Sequence, residues 1–118
     1  MGYRSTYEAE VAMVLEGLGF EYEPWSVEYP QYRTYTPDFY ADGVLVECKG
    51  YFRPGDQAKY KAIRDQVLSM GEELVFLFMS PNKPVRKGSK MTMGRWADKE
   101  GIRWFDEPKE LVKYVDNR

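Results

Sequence analysis

An α/β fold, with a central mixed sheet flanked by helices, is what this sequence predicts, and three observations carry the prediction. A turn at Ala41-Asp42-Gly43, where Asp-Gly is a strong turn signal, separates two stretches of strand character, one beginning at Phe39 and the other running Val44–Lys49, as in an antiparallel hairpin. A continuous apolar run, Leu74–Met79, lies between Gly71 and Pro81 and fits a buried central strand. Between them, from Asp56 to about Met70, the apolar residues recur at helical spacing. A helix joining two strands implies a crossover and a parallel pairing. At 118 residues, 43% of them apolar and 31% charged, the chain has material for one domain, residues 1–118, and too little for a second independent core.

The remaining elements follow in order. Ser5 to Leu18 reads as a helix, with Ser5 as N-cap, Glu8 at the capping-box position, an apolar stripe of Tyr7, Val11, Val14, Leu15 and Leu18, and Gly17 and Gly19 ending it. Phe20 to Glu23 is expected to be a short extended piece stopped by Pro24. Trp25, Val27 and Tyr29 alternate with Ser26 and Glu28 as in a half-buried strand. Residues 30–37 read as an exposed connection. In the return strand of the hairpin, Val44, Val46 and Cys48 point to one face and Leu45, Glu47 and Lys49 to the other, so Cys48 is expected to pack in the core. Asp56 is expected to cap the second helix, with Tyr60, Ile63, Val67 and Leu68 buried. A basic loop from Asn82 to Ser89, a short helix near Gly94–Lys99, a strand at Ile102–Phe105 and a final helix opened by Pro108 complete the chain.

Composition excludes several chemistries. There is no histidine, which removes a histidine general base, a Ser-His-Asp triad and every His-containing zinc site. One cysteine rules out an intrachain disulfide. No signal peptide and no bilayer-length apolar run are evident, so the reading is a cytoplasmic protein with no membrane partner. The net charge of −2 is modest, but its distribution is uneven: residues 1–50 hold nine acidic and three basic side chains, residues 51–118 ten and fourteen. An acidic first half suits divalent cations, and a basic second half suits a phosphate backbone.

The chemistry concentrates at Pro37-Asp38 and, after eight intervening residues, Glu47-Cys48-Lys49. Asp38 opens one hairpin strand and Glu47 lies near the end of the other, so the two carboxylates are expected to converge at one end of the sheet. Glu47 and Lys49, two apart, share a strand face. Two such carboxylates repel unless protonated or bridged by a cation, and oxygen ligands suit Mg²⁺ or Mn²⁺. Asp38 and Glu47 would hold the metal, with the Cys48 carbonyl as a further ligand. Lys49 would either orient the attacking water or offset negative charge developing on a phosphate. Glu8, on the first helix, is a fourth candidate beside its capping role. The bland alternative for Glu47 and Lys49 is an ion pair on a solvated strand face.

The sequence resembles the phage endonuclease I family of Holliday-junction resolvases, within the wider PD-(D/E)xK, restriction-endonuclease-like fold. The likeness runs through Tyr3-Arg4-Ser5 with Glu8, Phe20-Glu21-Tyr22-Glu23 with Trp25, Thr34-Tyr35-Thr36-Pro37-Asp38-Phe39, Val46-Glu47-Cys48-Lys49-Gly50, Lys87-Gly88-Ser89 and Gly101-Ile102-Arg103-Trp104-Phe105. It implies an active site of Glu8, Asp38, Glu47 and Lys49, two divalent ions per site (Mg²⁺, with Mn²⁺ able to substitute), and paired symmetric cuts across a four-way DNA junction. It also implies a domain-swapped homodimer bridged near residues 25–36, and a phage or prophage source. The competing readings are another nuclease of the same fold (nicking, repair or restriction-type) and a non-catalytic DNA-binding module. For DNA phosphates the candidates are Lys83, Arg86, Lys87, Ser89 and Lys90 in the basic loop, Arg95 beyond it, Lys59, Lys61 and Arg64 on the second helix, and Arg4 before the first.

Overall fold

The computed structural model describes residues 6–24, 26 and 31–118, with Glu8 described by its backbone alone. Within these, helix α1 (Thr6–Gly17) is followed by strands β1 (Phe39–Ala41) and β2 (Val44–Lys49), helix α2 (Asp56–Ser69), strand β3 (Glu73–Phe78), helix α3 (Met93–Lys99), strand β4 (Arg103–Phe105) and helix α4 (Pro108–Asp116). The chain forms two compact units, residues 1–33 and 34–118.

In the second unit, four strands lie in the order β1-β2-β3-β4. β1 pairs antiparallel with β2, Phe39 opposite Val46, through the two-residue Asp42-Gly43 turn. Both turn residues have positive φ (49° and 83°), the conformation of a type I′ turn and the reason an Asp-Gly pair stands there. β2 and β3 run parallel, Glu47 beside Phe76 and Lys49 beside Phe78, joined through α2, and β3 and β4 are also parallel. The mixed sheet is therefore the expected one. The central apolar run begins and ends one residue earlier than its composition suggests: β3 stops at Phe78, and Met79 is exposed.

The sheet divides the core by the alternation of its strands. On one face Leu45, Leu74, Phe76 and Phe78 pack with Phe52, Tyr60, Val67, Trp96 and Ile102 beneath α2 and α3. On the other, Val44, Val46 and Val75 meet Leu77, Phe105 and the α4 residues Leu111, Tyr114 and Val115. The first face is built largely of ring contacts. Phe52 stacks with Tyr60 and meets Trp96 edge-on, their centroids 6.0 and 5.2 Å apart. Burial of each such side chain is worth about 1.5–3 kcal/mol, which commits residues 34–118 to one packing. α2 ends where Gly71 takes a left-handed φ of 77°, letting the Glu72 N–H return to the Val67 carbonyl. Leu68, expected inside, is exposed, because it lies about 100° round the helix from Val67, which faces the sheet. α4 opens with Pro108 in its first turn, as expected.

The first unit departs further from expectation. α1 forms, but of its apolar stripe Tyr7, Val14, Leu15 and Leu18 are exposed, and among the described side chains of the helix Ala12 alone is buried. Residues 20–23 form no strand and bend at Tyr22 and Glu23, since Gly19 (φ 94°) and Glu23 (φ 43°) both take left-handed conformations that break a strand. The expected cap at Ser5 and the strand through Trp25, Val27 and Tyr29 lie outside the described residues.

Candidate active site

The end of β2 is where the charged side chains gather, and the hairpin puts them there. The Asp38 backbone N–H donates to the Val46 carbonyl at 3.0 Å, which draws the residue preceding β1 alongside the last residues of β2. Its carboxylate Oδ2 then accepts the Cys48 N–H at 2.8 Å. Asp38 thus sits beside the peptide that follows Glu47. Among the described residues its other oxygen has no hydrogen-bond partner.

Glu47 is buried, 9% exposed, because the face it shares with Leu45 is the one covered by α2. A buried carboxylate requires partners. The Tyr35 hydroxyl donates to Oε1 at 2.5 Å, and the Lys49 ammonium lies 3.8 Å from Oε2. Lys49 has a second carboxylate 3.5 Å away, Asp56 Oδ2, and the face of Tyr60, with Nζ 5.0 Å from the ring centroid. Its ammonium is therefore held between two acids over an aromatic ring.

Sequence reasoning missed three members of this cluster. Asp56 reads as a helix cap, yet the N-cap of α2 is Gly55 (φ 90°) and the Asp56 carboxylate turns back to accept the Arg53 N–H at 2.9 Å while facing Lys49. Its 7% exposure is the signal of a further role, and burial is not visible in sequence. Tyr60 reads as an apolar core residue, and Tyr35 as part of an exposed connection. Both hydroxyls are pushed well above the ordinary tyrosine range. For Tyr35 the causes are burial, then the hydrogen bond to Glu47 and its charge; for Tyr60 they are burial, then the charge of Glu47 and a hydrogen bond to it. Both stay protonated, and the Tyr35 hydroxyl is the donor to the carboxylate.

Cys48 is a correction. Its side chain is exposed, because the α4 layer covers Val44 and Val46 but does not reach the end of the strand. Partial burial and the negative charges of Asp38 and Glu47 push its thiol pKa up, so the protonated, weakly ligating form prevails. The donors that remain are oxygens, two carboxylates and the peptide carbonyls between them, which fits a hard divalent cation. Among the described residues no group of three or more acidic or sulfur ligands closes on one point. The Glu8 side chain lies outside the described residues.

The basic loop is pinned by its own backbone. Val85 is buried and its N–H donates to the Met91 carbonyl at 2.8 Å, Met93 N–H donates to the Lys83 carbonyl at 2.9 Å, and Ser89 Oγ accepts the Met91 N–H at 3.0 Å. Lys83, Arg86, Lys87 and Lys90 are exposed around it, as is Arg95 in α3. On α2, Lys59 and Lys61 are exposed. Arg64 is not free for phosphate: its guanidinium is bound by Asp65 and by the Glu100 carboxylate and carbonyl, tying α2 to the end of α3. Arg4 lies outside the described residues, and no helix among them is long and apolar enough to cross a membrane.

Comparison with known proteins bears on this arrangement. The model of the family described as phage endonuclease I matches residues 1–116. "Endonuclease I" of Escherichia phage T7 is 35% identical over 127 aligned positions, spanning 95% of this chain and 84% of that protein. "Endodeoxyribonuclease 1" of Enterobacteria phage T3 is 36% identical over 127 positions, spanning 95% of this chain and 82% of its own.

Proposed function

The chain belongs to the phage endonuclease I family, and on that premise we propose that it is a metal-dependent endodeoxyribonuclease of restriction-endonuclease-like fold that resolves four-way DNA junctions. The observation that carries the chemistry is the convergence of the Asp38 carboxylate, the Glu47 carboxylate and the Lys49 ammonium on the last residues of β2.

In this reading Asp38, Glu47 and the Cys48 carbonyl hold magnesium, with Glu8 as the further acid and manganese able to replace it, two ions per site. The bound ions would supply charge stabilisation and an acidified water. The chain's own residues do the rest. The Tyr35 hydroxyl orients Glu47, so that its lone pairs face one direction before substrate arrives. The Lys49 ammonium, set by Glu47 and Asp56, donates toward a non-bridging oxygen of the scissile phosphate and offsets the charge that grows there in the transition state. The cations of the basic loop and α2 take neighbouring phosphates and so set the position of the duplex without reading its bases.

Paired cuts on a four-way substrate need two equivalent sites at a fixed separation, which a two-fold homodimer provides. The exposed Tyr7, Val14 and Leu18 of α1 support a second copy as the surface that covers them. Residues 31–34, exposed and in neither helix nor strand, support an interchain bridge near residues 25–36.

The test is cleavage of a four-way junction and a sequence-matched linear duplex in magnesium. Selective cutting of the junction, abolished by EDTA and by Glu47→Gln, is expected. Lys49→Ala should lower kcat by about 10²–10³ with junction binding nearly unchanged. Equal cutting of both substrates would remove junction selectivity and leave another nuclease of the same fold.

A further inference from the structure

Just past Lys49, the chain alternates around one core anchor. Phe52 is buried among Tyr60, Phe76, Phe78 and Trp96. Its neighbours Tyr51 and Arg53 are exposed, Tyr51 by 53%. The adjacent strand ends beside them: the Met79 N–H donates to the Lys49 carbonyl at 3.0 Å, and the turn that follows places Lys83 with its N–H on the Ser80 carbonyl, also at 3.0 Å. Lys83 is then held from the far side, its carbonyl accepting the Met93 N–H. The result is one exposed aromatic ring with two cations over it, Lys83 Nζ 5.7 Å and Arg53 Cζ 6.0 Å from the centroid.

Three features distinguish this group from an ordinary solvated charge. Among the described residues neither cation has a carboxylate within ion-pair distance. Both stand on backbone fixed by the core or by hydrogen bonds, so little freedom is lost when an anion arrives. And Tyr51 lies two residues from Lys49, whose ammonium is already assigned to a phosphate.

We propose that Arg53 and Lys83, gathered at the Tyr51 ring, form a subsite for a single backbone phosphate of the DNA strand, next to the one that is cut. The inference rests on the nuclease reading in that its ligand is the same DNA strand. Two cations held within about 6 Å of one ring centroid are placed to serve one anion. Arg53 offers a planar fork of donors and Lys83 a point charge.

The shared phosphate has a quantitative signature. Binding of a short linear duplex and of a four-way junction is measured in EDTA over a range of salt. Each neutralised phosphate contributes about 0.9 to the slope of log affinity against log salt. Arg53→Gln/Lys83→Gln should reduce that slope by about 0.9 on both DNAs and weaken binding by about three- to tenfold at moderate salt. Each single variant should fall short of the double, because the remaining cation still reaches the phosphate. Lys109→Gln/Lys113→Gln, on α4 against the opposite sheet face, should leave the slope unchanged. A loss of about 1.8, the sum of two independent contacts, would overturn the shared subsite. So would an unchanged slope, or an equal loss in the α4 control. Because binding is read without metal and on both DNAs, loss of junction-selective cleavage would sink the proposed function and leave this result standing, and the reverse also holds.

Discussion

Replacing Asp56 with asparagine removes one negative charge beside Lys49 while preserving side-chain size and an oxygen to accept the Arg53 N–H. At an effective dielectric of about 20, a carboxylate 3.5 Å from the ammonium attracts it by about 4.7 kcal/mol, and Glu47 at 3.8 Å by about 4.4 kcal/mol. Two nearly equal pulls from different elements hold the ammonium between them. With one gone, it is drawn toward Glu47, out of the position from which it meets a phosphate. Desolvation and the remaining partner offset most of the Coulomb term, so a net stability loss of about 1.5–3 kcal/mol is expected. A displaced ammonium should cost about 10–100-fold in kcat, or about 1.4–2.7 kcal/mol of transition-state stabilisation, with KM for DNA changed less than about threefold. Single-turnover cleavage of a four-way junction, beside urea denaturation of the same preparations, measures both. An Asp56→Asn enzyme that keeps its kcat within twofold would refute the positioning role. So would one whose loss falls on KM.

Two further outcomes follow from packing and titration. A Cβ added at Gly94 would stand 2.9 Å from Trp104 Cζ2 and 3.4 Å from the Pro81 carbonyl, so Gly94→Ala should destabilise the chain by about 1–3 kcal/mol, read as a lower denaturant midpoint. The Tyr35 and Tyr60 hydroxyls hold their protons more tightly in the folded chain than in the unfolded one. Their contribution is complete below about pH 10 and is lost as pH rises from there toward the folded values, by up to about 1.4 kcal/mol per pH unit for each group. Metal-free stability measured between pH 8 and about 12 should fall steeply at the alkaline end, and less steeply in Tyr35→Phe/Tyr60→Phe. Equal slopes would show that other groups govern alkaline unfolding.

Much of the fold was legible because its signals are local. The Asp42-Gly43 pair requires two positive φ values, and it fixes the hairpin register that brings Asp38 alongside Cys48. Period-two alternation alone puts Glu47 and Lys49 on one face. Burial was the illegible quantity. Cys48 alternates with core valines and yet is exposed, since whether a strand end is covered depends on how far α4 extends over it. Arg64 has the appearance of a surface cation until Glu100, 36 residues on, is found binding it.

Residue types and their spacing were enough to place a histidine-free group of carboxylates and a lysine on a mixed α/β sheet, because alternation, turn geometry and absent functional groups are properties of short stretches of chain. Tyr35, Asp56 and Tyr60 around Glu47 and Lys49, and the Arg53–Lys83 pair at Tyr51, appear only after folding. Each joins residues from separate elements, and the distances between those elements are set by how the helices and loops pack on the sheet.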